Sequence, residues 1–280
     1  MPGRRYSDFR PGDRAEYMAI YILSSFAQVV PVPRQEDYGL DFFCALTREE
    51  NHSLFVEDVF GVQAKKHTKG KKIEIVYGGK DKKNIWKKHE IKWLLFGPYF
   101  PLLIALVDID NNILSLYSTA NMWKARWMAG HPYQVKLIPQ TTSKQNLSIT
   151  TQPPKKLPKG DAGDRKIWKI PLGPPIVILP IADCNDKNIS KTIYSVLKYW
   201  LVLDQQNVFH QKMGIPACTR FMSWKPNYIP DTSKTEYQMF GNATIGMNVN
   251  GILNKISPMI QSLAYNYILQ PTGYWLLQHY

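Results

Sequence analysis

The chain has 280 residues, with 35 Lys and Arg against 22 Asp and Glu and a formal net charge of +13. This length supports a full hydrophobic core, and the charge favours a polyanionic partner over an acidic small substrate. Three cysteines without metal-ligand spacing argue against a zinc site or a disulfide framework. The apolar runs are too short for a membrane span and the N-terminus lacks a signal-peptide pattern, so we expect a soluble cytoplasmic protein.

The first predicted element is an amphipathic helix. Asp13 followed by Glu16 has the pattern of a capping box, and apolar residues at helical spacing run from Ala15 to Val30. We therefore expect one helix that ends before Pro31. Glu16 has two open interpretations, because an acid at this position caps a helix and can equally reach a site at the sheet edge.

The next elements follow from apolar runs bounded by turn residues. They are strands at 41–47, 58–65 and 72–77, a helix at 82–96, and strands at 101–109 and 113–118. The first three strands suggest a meander. The order helix, three strands, helix, strand, strand indicates the α/β class with a mixed sheet.

The second half of the chain begins with a polar stretch. Thr, Ser, Gln, Lys, Pro and Gly dominate from 139 to 166, which is typical of a loop or linker. We divide the chain into an N-terminal domain at 1–135, a polar linker at 136–166 and a C-terminal α+β region at 167–280. The elements predicted in this last region are a strand pair at 167–181, a helix at 189–209 and a bent apolar helix at 252–269.

Positive charge is concentrated between residues 64 and 92, where eleven Lys and three acids give a net +8. Such a run is usually a solvated face, but here it adjoins the candidate site described next, which favours phosphate binding by counterion release. The lysines expected to bind nucleic acid are Lys66, Lys69, Lys71, Lys72, Lys82 and Lys83. Five aromatic residues nearby are expected in the core rather than stacked on bases, namely Trp86, Trp93, Tyr99, Trp123 and Trp127.

Three polar residues of the first two predicted strands form a candidate catalytic site. Asp41 opens the first predicted strand, and Gln63 and Lys65 end the second. Because alternate side chains of a strand share a face, Gln63 and Lys65 point together while Val62 and Ala64 point into the core. An acid, an amide and an ammonium at one place are what magnesium-dependent cleavage of a phosphodiester needs, since they supply oxygen ligands and offset phosphate charge.

With Glu16, the Asp41 of DYGLDFF and the Gln63-x-Lys65 of FGVQAKK, the chain resembles the PD-(D/E)XK, or restriction-endonuclease-like, nuclease superfamily. It is most similar to the Mrr-like branch, in which Gln often replaces an acid at the third signature position. The resemblance covers residues 10–125. It implies an αβββαβ mixed sheet flanked by helices, with the site where the first two strands diverge, and it makes 1–135 the nuclease domain.

The resemblance also implies roles for the matched residues. Asp41 is the central ligand of Mg²⁺, for which Mn²⁺ can substitute, and Gln63 helps to hold the ion together with the Ala64 carbonyl. Lys65 orients the attacking water or stabilises phosphate charge, and Glu16 is an auxiliary acid. Asp37 and Asp58 are expected to be turn acids and are kept as reserve ligands.

The expected function is therefore a magnesium-dependent endonuclease that acts on DNA, in bacterial defence against foreign DNA and as a homodimer. Two alternatives stay open. One is an RNA-cleaving effector, because the phosphate chemistry is common to both substrates. The other is a non-catalytic module that binds nucleic acid, because Gln63 in place of an acid lowers metal affinity.

Overall fold

The structure is a computed structural model that describes residues 9–33, 39–51, 53–67, 73–80, 87–128, 132–140, 147–153 and 166–239. Within these ranges the chain is mixed α/β, as predicted. Its helices are α1 (Phe9–Leu23), α2 (Lys88–Phe96), α3 (Trp123–Arg126) and α4 (Lys187–Lys212). Its strands are β1 (Ala27–Pro31), β2 (Phe42–Glu50), β3 (Ser53–His67), β4 (Ile75–Gly78), β5 (Leu102–Asp108), β6 (Ile113–Ser118), β7 (Gln134–Pro139), β8 (Thr150–Gln152), β9 (Ile167–Gly173), β10 (Val177–Pro180), β11 (Ala217–Phe221) and β12 (Thr235–Met239).

The largest sheet has six strands in the order β1-β2-β3-β5-β6-β10. Neighbouring strands are antiparallel except β3 and β5, which are parallel, with Gly61 opposite Leu102 and Lys65 opposite Leu106. Two parallel strands need a crossover connection, and the connection from β3 to β5 contains α2. A second sheet has the order β4-β7-β9-β8, and β11 pairs with β12.

Two hydrophobic cores cover the six-stranded sheet. The first core lies on the side of α1 and α4 and includes Ala15, Val62 and Trp200. The second core lies on the side of α2 and the second sheet and includes Leu94 and Ile104. Because alternate residues of a strand point to opposite faces, β3 and β5 each contribute to both sides of the sheet.

The first helix is shorter than the sequence predicts. It begins at Phe9 and ends at Leu23, so Asp13 lies inside it and the prediction that Asp13 is the N-cap is wrong. The Ser24 backbone amide and its Oγ both donate to the Ile20 carbonyl, at 2.9 and 2.7 Å, where the helix ends. The chain then pairs with β2 as β1, a strand that the helical spacing concealed.

The predicted meander of 41–47, 58–65 and 72–77 is also corrected. β2 and β3 form the expected hairpin, but β4 leaves this sheet and pairs with β7 in the second one. The antiparallel meander consists of β1, β2 and β3 instead. The strands β5 and β6 form as predicted, and the second helix is described from residue 88.

Strands from both halves of the chain share sheets. The predicted strand pair at 167–181 forms two strands that do not pair with each other, because β9 pairs with β7 and β8 while β10 pairs with β6. The predicted linker contains β8 and most of β7. The helix predicted at 189–209 is α4, and the apolar segment at 252–269 lies outside the described residues.

No helix in the described part of the chain is long and apolar enough to cross a membrane. The three cysteines, Cys44, Cys184 and Cys218, are buried free thiols, so no disulfide forms among them.

Candidate functional site

Asp41 lies beside β3 at the Gln-x-Lys pair. Its backbone amide donates to the Val62 carbonyl at 3.0 Å, which ties it to that strand. Its carboxylate Oδ2 accepts a hydrogen bond from the Ala64 amide at 2.6 Å. Because Ala64 stands between Gln63 and Lys65, the carboxylate lies next to both of them.

Gly39 allows the turn that places Asp41 beside β3. Gly39 has a φ of +92°, a backbone conformation that side chains other than glycine rarely adopt. A Cβ at Gly39 would lie 2.9 Å from Cζ3 of Trp93 on α2. The chain can therefore turn into β2 close against α2 only because residue 39 has no side chain.

Register places the three residues on one face. Phe42 pairs with Val62, and both belong to the first core. Asp41 comes one residue before Phe42, and Gln63 comes one residue after Val62. Because alternate residues point to opposite faces, Asp41 and Gln63 point away from the first core, and so does Lys65, two residues after Gln63. The structure thus brings together Asp41, Gln63 and Lys65, as strand alternation predicts.

Gln63 is buried, and its amide oxygen accepts a hydrogen bond from the Tyr77 hydroxyl of β4. A buried amide is costly without partners, and Tyr77 supplies one from the second sheet. Nothing in the sequence pattern singles out Tyr77, because its contact to β3 depends on how the two sheets pack. Asp41 and Lys65 are only half-buried, so the site opens to solvent at these two residues.

The same face of β3 continues past Lys65 to His67. His67 pairs in register with Asp108 at the end of β5, and its Nδ1 lies 3.6 Å from Asp108 Oδ2. A hydrogen bond from the Asn111 side chain is the main cause that holds the pKa of Asp108 below its usual range, and His67 adds to it. Asp108 therefore lies on the same face of the sheet as Gln63 and Lys65, at the far end of β5.

Glu16 is placed differently from the other predicted site residues. Its helix, α1, packs against the face of the sheet that carries Val62 and Ala64, opposite to the face of Gln63. Since α1 begins at Phe9, Glu16 also lies too far along the helix for a capping box. The capping-box interpretation is therefore wrong, and the role of Glu16 as an auxiliary acid stays a prediction.

Asp58, one of the two reserve ligands, faces α4. Its Oδ2 lies 2.6 Å from Lys198 Nζ, and its Oδ1 accepts a hydrogen bond from Gln205 at 3.2 Å. These partners hold it on the side of the first core, away from Asp41. The other reserve ligand, Asp37, lies outside the described residues.

Of the lysines expected to bind nucleic acid, Lys66 is exposed at the end of β3. The others, Lys69, Lys71, Lys72, Lys82 and Lys83, lie outside the described residues, as does Trp86. Trp123 is in the first core, as predicted, with the Arg126 guanidinium 3.7 Å from its ring centre. Tyr99 is exposed rather than in the core, and Lys212 Nζ lies 5.4 Å from its ring centre.

Side-chain oxygens for a metal are few. Across the described ranges there is no group of three His, Cys, Asp or Glu residues that could hold an ion. Asp41 and Gln63 offer one carboxylate and one amide, both already hydrogen-bonded within the protein. This set fits Mg²⁺ that keeps several waters and takes further oxygens from a substrate phosphate, which is a common way for proteins to bind this ion.

Comparisons with protein-family models, with curated proteins and with solved structures gave no match.

Proposed function

We propose that the chain is a magnesium-dependent endonuclease that hydrolyses phosphodiester bonds of DNA. The observation that carries this proposal is the 2.6 Å hydrogen bond between the Asp41 carboxylate and the Ala64 amide. It draws the acid of one strand to the Gln-x-Lys pair of the next, which is the juxtaposition that the resemblance to PD-(D/E)XK nucleases requires.

The order of elements supports the same proposal. The helix α1 is followed by the antiparallel strands β1, β2 and β3, then by α2 and by β5 parallel to β3. This is the αβββαβ order that the resemblance implies, with β4 inserted between β3 and α2. Asp41 immediately precedes β2, and the resemblance expects the site where the first two predicted strands diverge.

Within this proposal, Asp41 and Gln63 hold the ion and Lys65 binds the phosphate. Bound Mg²⁺ would polarise the phosphate and make a water more acidic. Asp41 brings the negative charge that attracts the ion, and Tyr77 holds the Gln63 amide in one orientation. Lys65 is half-buried on this face, and its ammonium would offset the charge that develops on the phosphate.

Charge supports a nucleic-acid substrate. The chain carries +13 overall, and +8 of it falls in residues 64–92, which include Lys65 and continue beyond the end of β3. Contacts of this kind bind the phosphate backbone without reading sequence, so we expect binding that weakens steeply with salt. A role in defence against foreign DNA is part of the proposal through the resemblance alone.

The test is a cleavage assay on supercoiled, linear and single-stranded DNA and on RNA, with Mg²⁺, Mn²⁺ or chelator. We expect Asp41→Asn, Asp41→Ala and Lys65→Ala each to abolish cleavage that depends on the metal. Asp41→Asn keeps an acceptor for the Ala64 amide and removes only the charge. Asp41→Ala also leaves that amide without its partner, so it should lower the free energy of unfolding by about 1–3 kcal/mol.

Lys191→Ala is the control, because Lys191 is an exposed lysine of α4 on the side of the first core. It removes the same charge as Lys65→Ala and should cut at the wild-type rate. Cleavage by Asp41→Asn at the wild-type rate would contradict the role given to the carboxylate. Cleavage of RNA but not DNA would select the RNA-cleaving effector.

A non-catalytic module that binds nucleic acid is the second candidate. It is favoured by the small donor set, because the described residues contain no group of three His, Cys, Asp or Glu that could hold an ion, and the Asp41 and Gln63 side chains are both hydrogen-bonded within the protein. Such a module would bind DNA equally well with Mg²⁺ and with chelator. It would also leave supercoiled plasmid intact at every metal concentration.

A further inference from the structure

We propose that a basic aromatic surface around the end of α2 binds single-stranded nucleic acid by stacking unpaired bases on exposed rings. The surface combines exposed rings and exposed lysines of α2, of the loop that follows it and of the end of α4, namely Lys88, Lys92, Phe96, Tyr99, Phe209 and Lys212. The inference rests on the proposed function, because it takes nucleic acid as the partner, and it adds which form of nucleic acid binds.

Tyr99 is the central ring of this surface. Its side chain is 61 % exposed, and Lys212 Nζ lies over the ring, 5.4 Å from its centre. An ammonium at this distance is attracted to the π face of an aromatic ring. Because the lysine occupies one face and the residue is still mostly exposed, the rest of the ring is open to a base, and every base has a flat face that can stack on it.

Helical spacing brings the other members together. Lys88, Lys92 and Phe96 are four residues apart on α2, so they form one exposed stripe along the helix. On α4, Phe209 comes three residues before Lys212 and therefore lies beside it on the helix surface. Rings and ammonium groups are thus combined on a surface to which both helices contribute.

A buried arginine connects the two helix ends that carry this surface. Arg126 of α3 is 7 % exposed, and its guanidinium donates to the Leu94 carbonyl at 3.5 Å and to the Gln211 side chain. Leu94 is in the last turn of α2 and Gln211 is in the last turn of α4. The rings are therefore carried by elements that are held together before a ligand binds, which lowers the entropy cost of binding.

Charge complementarity selects a polyanion as the occupant. The stretches 91–101 and 205–217, which the structure describes throughout and which carry the three rings, contain no Asp or Glu. The acid that precedes each stretch is held elsewhere, since Glu90 accepts a hydrogen bond from the Gly78 amide at 2.9 Å and Asp204 is fully buried. An anionic ligand on these two stretches would therefore meet lysines without a competing carboxylate.

The exposed rings favour a single strand over a duplex. In a duplex the flat faces of the bases stack on one another, so an aromatic side chain finds no face to pack on. In a single strand each unpaired base offers its face, and this stacking tolerates every base in both DNA and RNA. Lysines alone would bind both forms, because they contact only the phosphates.

The loop after α2 connects this surface to the candidate site. Phe100 follows Tyr99, and a Cβ at Gly61 of β3 would lie 2.6 Å from Cε2 of the Phe100 ring. Gly61 comes two residues before Gln63, so the loop packs on the strand that carries the Gln-x-Lys pair. A nucleic acid bound at Tyr99 would be held next to this strand, which makes unpaired DNA the expected substrate of the endonuclease.

The experiment measures binding by fluorescence anisotropy to labelled oligo(dT), oligo(rU) and a DNA duplex of about 15 nucleotides each, with chelator so that nothing is cut. Wild type should bind both single strands more tightly than the duplex. Tyr99→Ala should weaken binding of the single strands about 5- to 100-fold and change binding of the duplex little. Tyr99→Phe keeps the ring and should bind like wild type.

Tyr228→Ala is the matched control, because Tyr228 is 67 % exposed in a loop that also carries the exposed Asp231. It should bind all three oligonucleotides like wild type. Lys212→Gln should weaken all three, and the slope of log K against log salt for oligo(dT) should fall in magnitude by about 0.7, the value of one phosphate contact. If Tyr99→Ala melts below wild type, Phe96→Ala replaces it, since Phe96 is 48 % exposed.

Equal binding of the single strands by wild type and Tyr99→Ala would overturn the inference, and so would equal weakening by Tyr228→Ala or a wild type that binds the duplex most tightly. These results would leave the endonuclease proposal intact if wild type still cuts DNA with Mg²⁺. A wild type that binds single strands through Tyr99 and never cuts would support the inference and contradict that proposal. A Tyr99→Ala loss confined to oligo(dT) or to oligo(rU) would support the stacking and identify the sugar.

Discussion

At the scale of single residues, two hydrogen bonds define the candidate site. The Ala64 amide binds the Asp41 carboxylate, and the Tyr77 hydroxyl binds the Gln63 amide oxygen. Each bond crosses from one strand to another, so the positions of both oxygen-bearing side chains depend on sheet packing rather than on their own strand. A metal that bound here would find both groups already oriented, which lowers the entropy cost of binding.

The first prediction concerns Tyr77. Tyr77→Phe keeps the buried ring and removes only the hydroxyl that orients Gln63. We expect the Mg²⁺ concentration for half-maximal cleavage to rise about 3- to 10-fold, because a net hydrogen bond contributes about 0.5–1.5 kcal/mol. Titration of cleavage with Mg²⁺, at saturating DNA, measures this shift.

Tyr117→Phe is the matched control. Tyr117 is buried in the same second core, on β6, and burial raises the pKa of its hydroxyl to about 12. The Tyr117→Phe variant should have a lower free energy of unfolding than wild type but the same Mg²⁺ concentration for half-maximal cleavage. A Tyr77→Phe variant with a wild-type metal requirement would show that Gln63 needs no help from the second sheet.

Part of this site could be predicted from the sequence. Period-two alternation is local, so Gln63 and Lys65 could be placed together, and Asp41 followed once two neighbouring strands were assumed. Tyr77 could not be found, because it is 14 residues from Gln63 and its strand belongs to another sheet. The side of the sheet that carries α1 and Glu16 could not be predicted either, since helical spacing shows that a face is apolar but not which side of a sheet it covers.

At the scale of elements, the wrong predictions concern segments whose local sequence pattern fits two different structures. Residues 26 and 30 fit the helical spacing of α1, but Val29 and Val30 are β-branched and lie before a proline, which suits a strand at the edge of a sheet. Pairing with β2 decides the outcome. β4 likewise has a strand pattern in sequence, yet only packing determines which sheet it joins.

The hairpin of β2 and β3 is tied to α4 by a charged cluster around Glu57. Lys198 Nζ lies 2.7 Å from Glu57 Oε2, the Tyr194 hydroxyl donates to the same oxygen at 2.6 Å, and Arg48 Nε donates to Oε1 at 3.0 Å. These partners, Lys198 first, lower the pKa of Glu57 to about 2. The carboxylate therefore stays charged well into the acid range.

A pH prediction follows for Glu57→Gln. Because folding lowers this pKa, the carboxylate stabilises the fold fully above the ordinary glutamate pKa, and this contribution is lost as pH falls toward 2. The variant should melt below wild type near neutral pH, and the two melting temperatures should converge in acid. Thermal melts followed by circular dichroism between about pH 7 and about pH 3 measure the difference.

Glu49→Gln is the control on the same hairpin. Glu49 lies 3.4 Å from Lys187 Nζ, but both side chains are mostly exposed, and such pairs contribute little. Its melting temperature should follow that of wild type throughout. A Glu57→Gln difference that did not shrink in acid would show that packing of the side chain, rather than its charge, connects the hairpin to α4.

At the scale of the whole molecule, the two halves of the chain share their cores. Side chains of α4, such as Val196 and Trp200, complete the first core beside Phe42 and Val62 of the N-terminal strands. In the second core, Trp168 of β9 packs in the same cluster as residues of α2 and β5. A division into 1–135 and 167–280 would therefore expose apolar surface on both sides.

We expect a fragment of residues 1–166 to lack cooperative thermal unfolding, because it loses β9, β10 and α4 together. The sequence alone indicated a boundary here, since polar composition cannot distinguish a linker from a loop that crosses between sheets. Circular dichroism melts and one-dimensional NMR of the fragment test this. Cooperative melting with dispersed methyl signals would support an independent N-terminal domain instead.

The most deeply buried acid of the described chain also joins the two halves. Asp204 of α4 is fully buried, and Ser118 of β6 donates to its Oδ2 at 3.3 Å. Burial raises the pKa of its carboxyl to about 7. The folded state thus binds this proton more tightly than the unfolded chain, so the stabilisation is complete below about pH 4 and is lost as pH rises toward 7.

Asp204→Asn should remove this dependence, because an amide of nearly the same shape stays neutral at every pH. The free energy of unfolding of wild type, relative to the variant, should fall by up to about 1.4 kcal/mol per pH unit between about pH 5 and about pH 7, and then level off. Urea unfolding at several pH values measures it. A difference that is constant with pH would mean that Asp204 is charged in the folded state throughout, held so by the nearby Arg126 guanidinium.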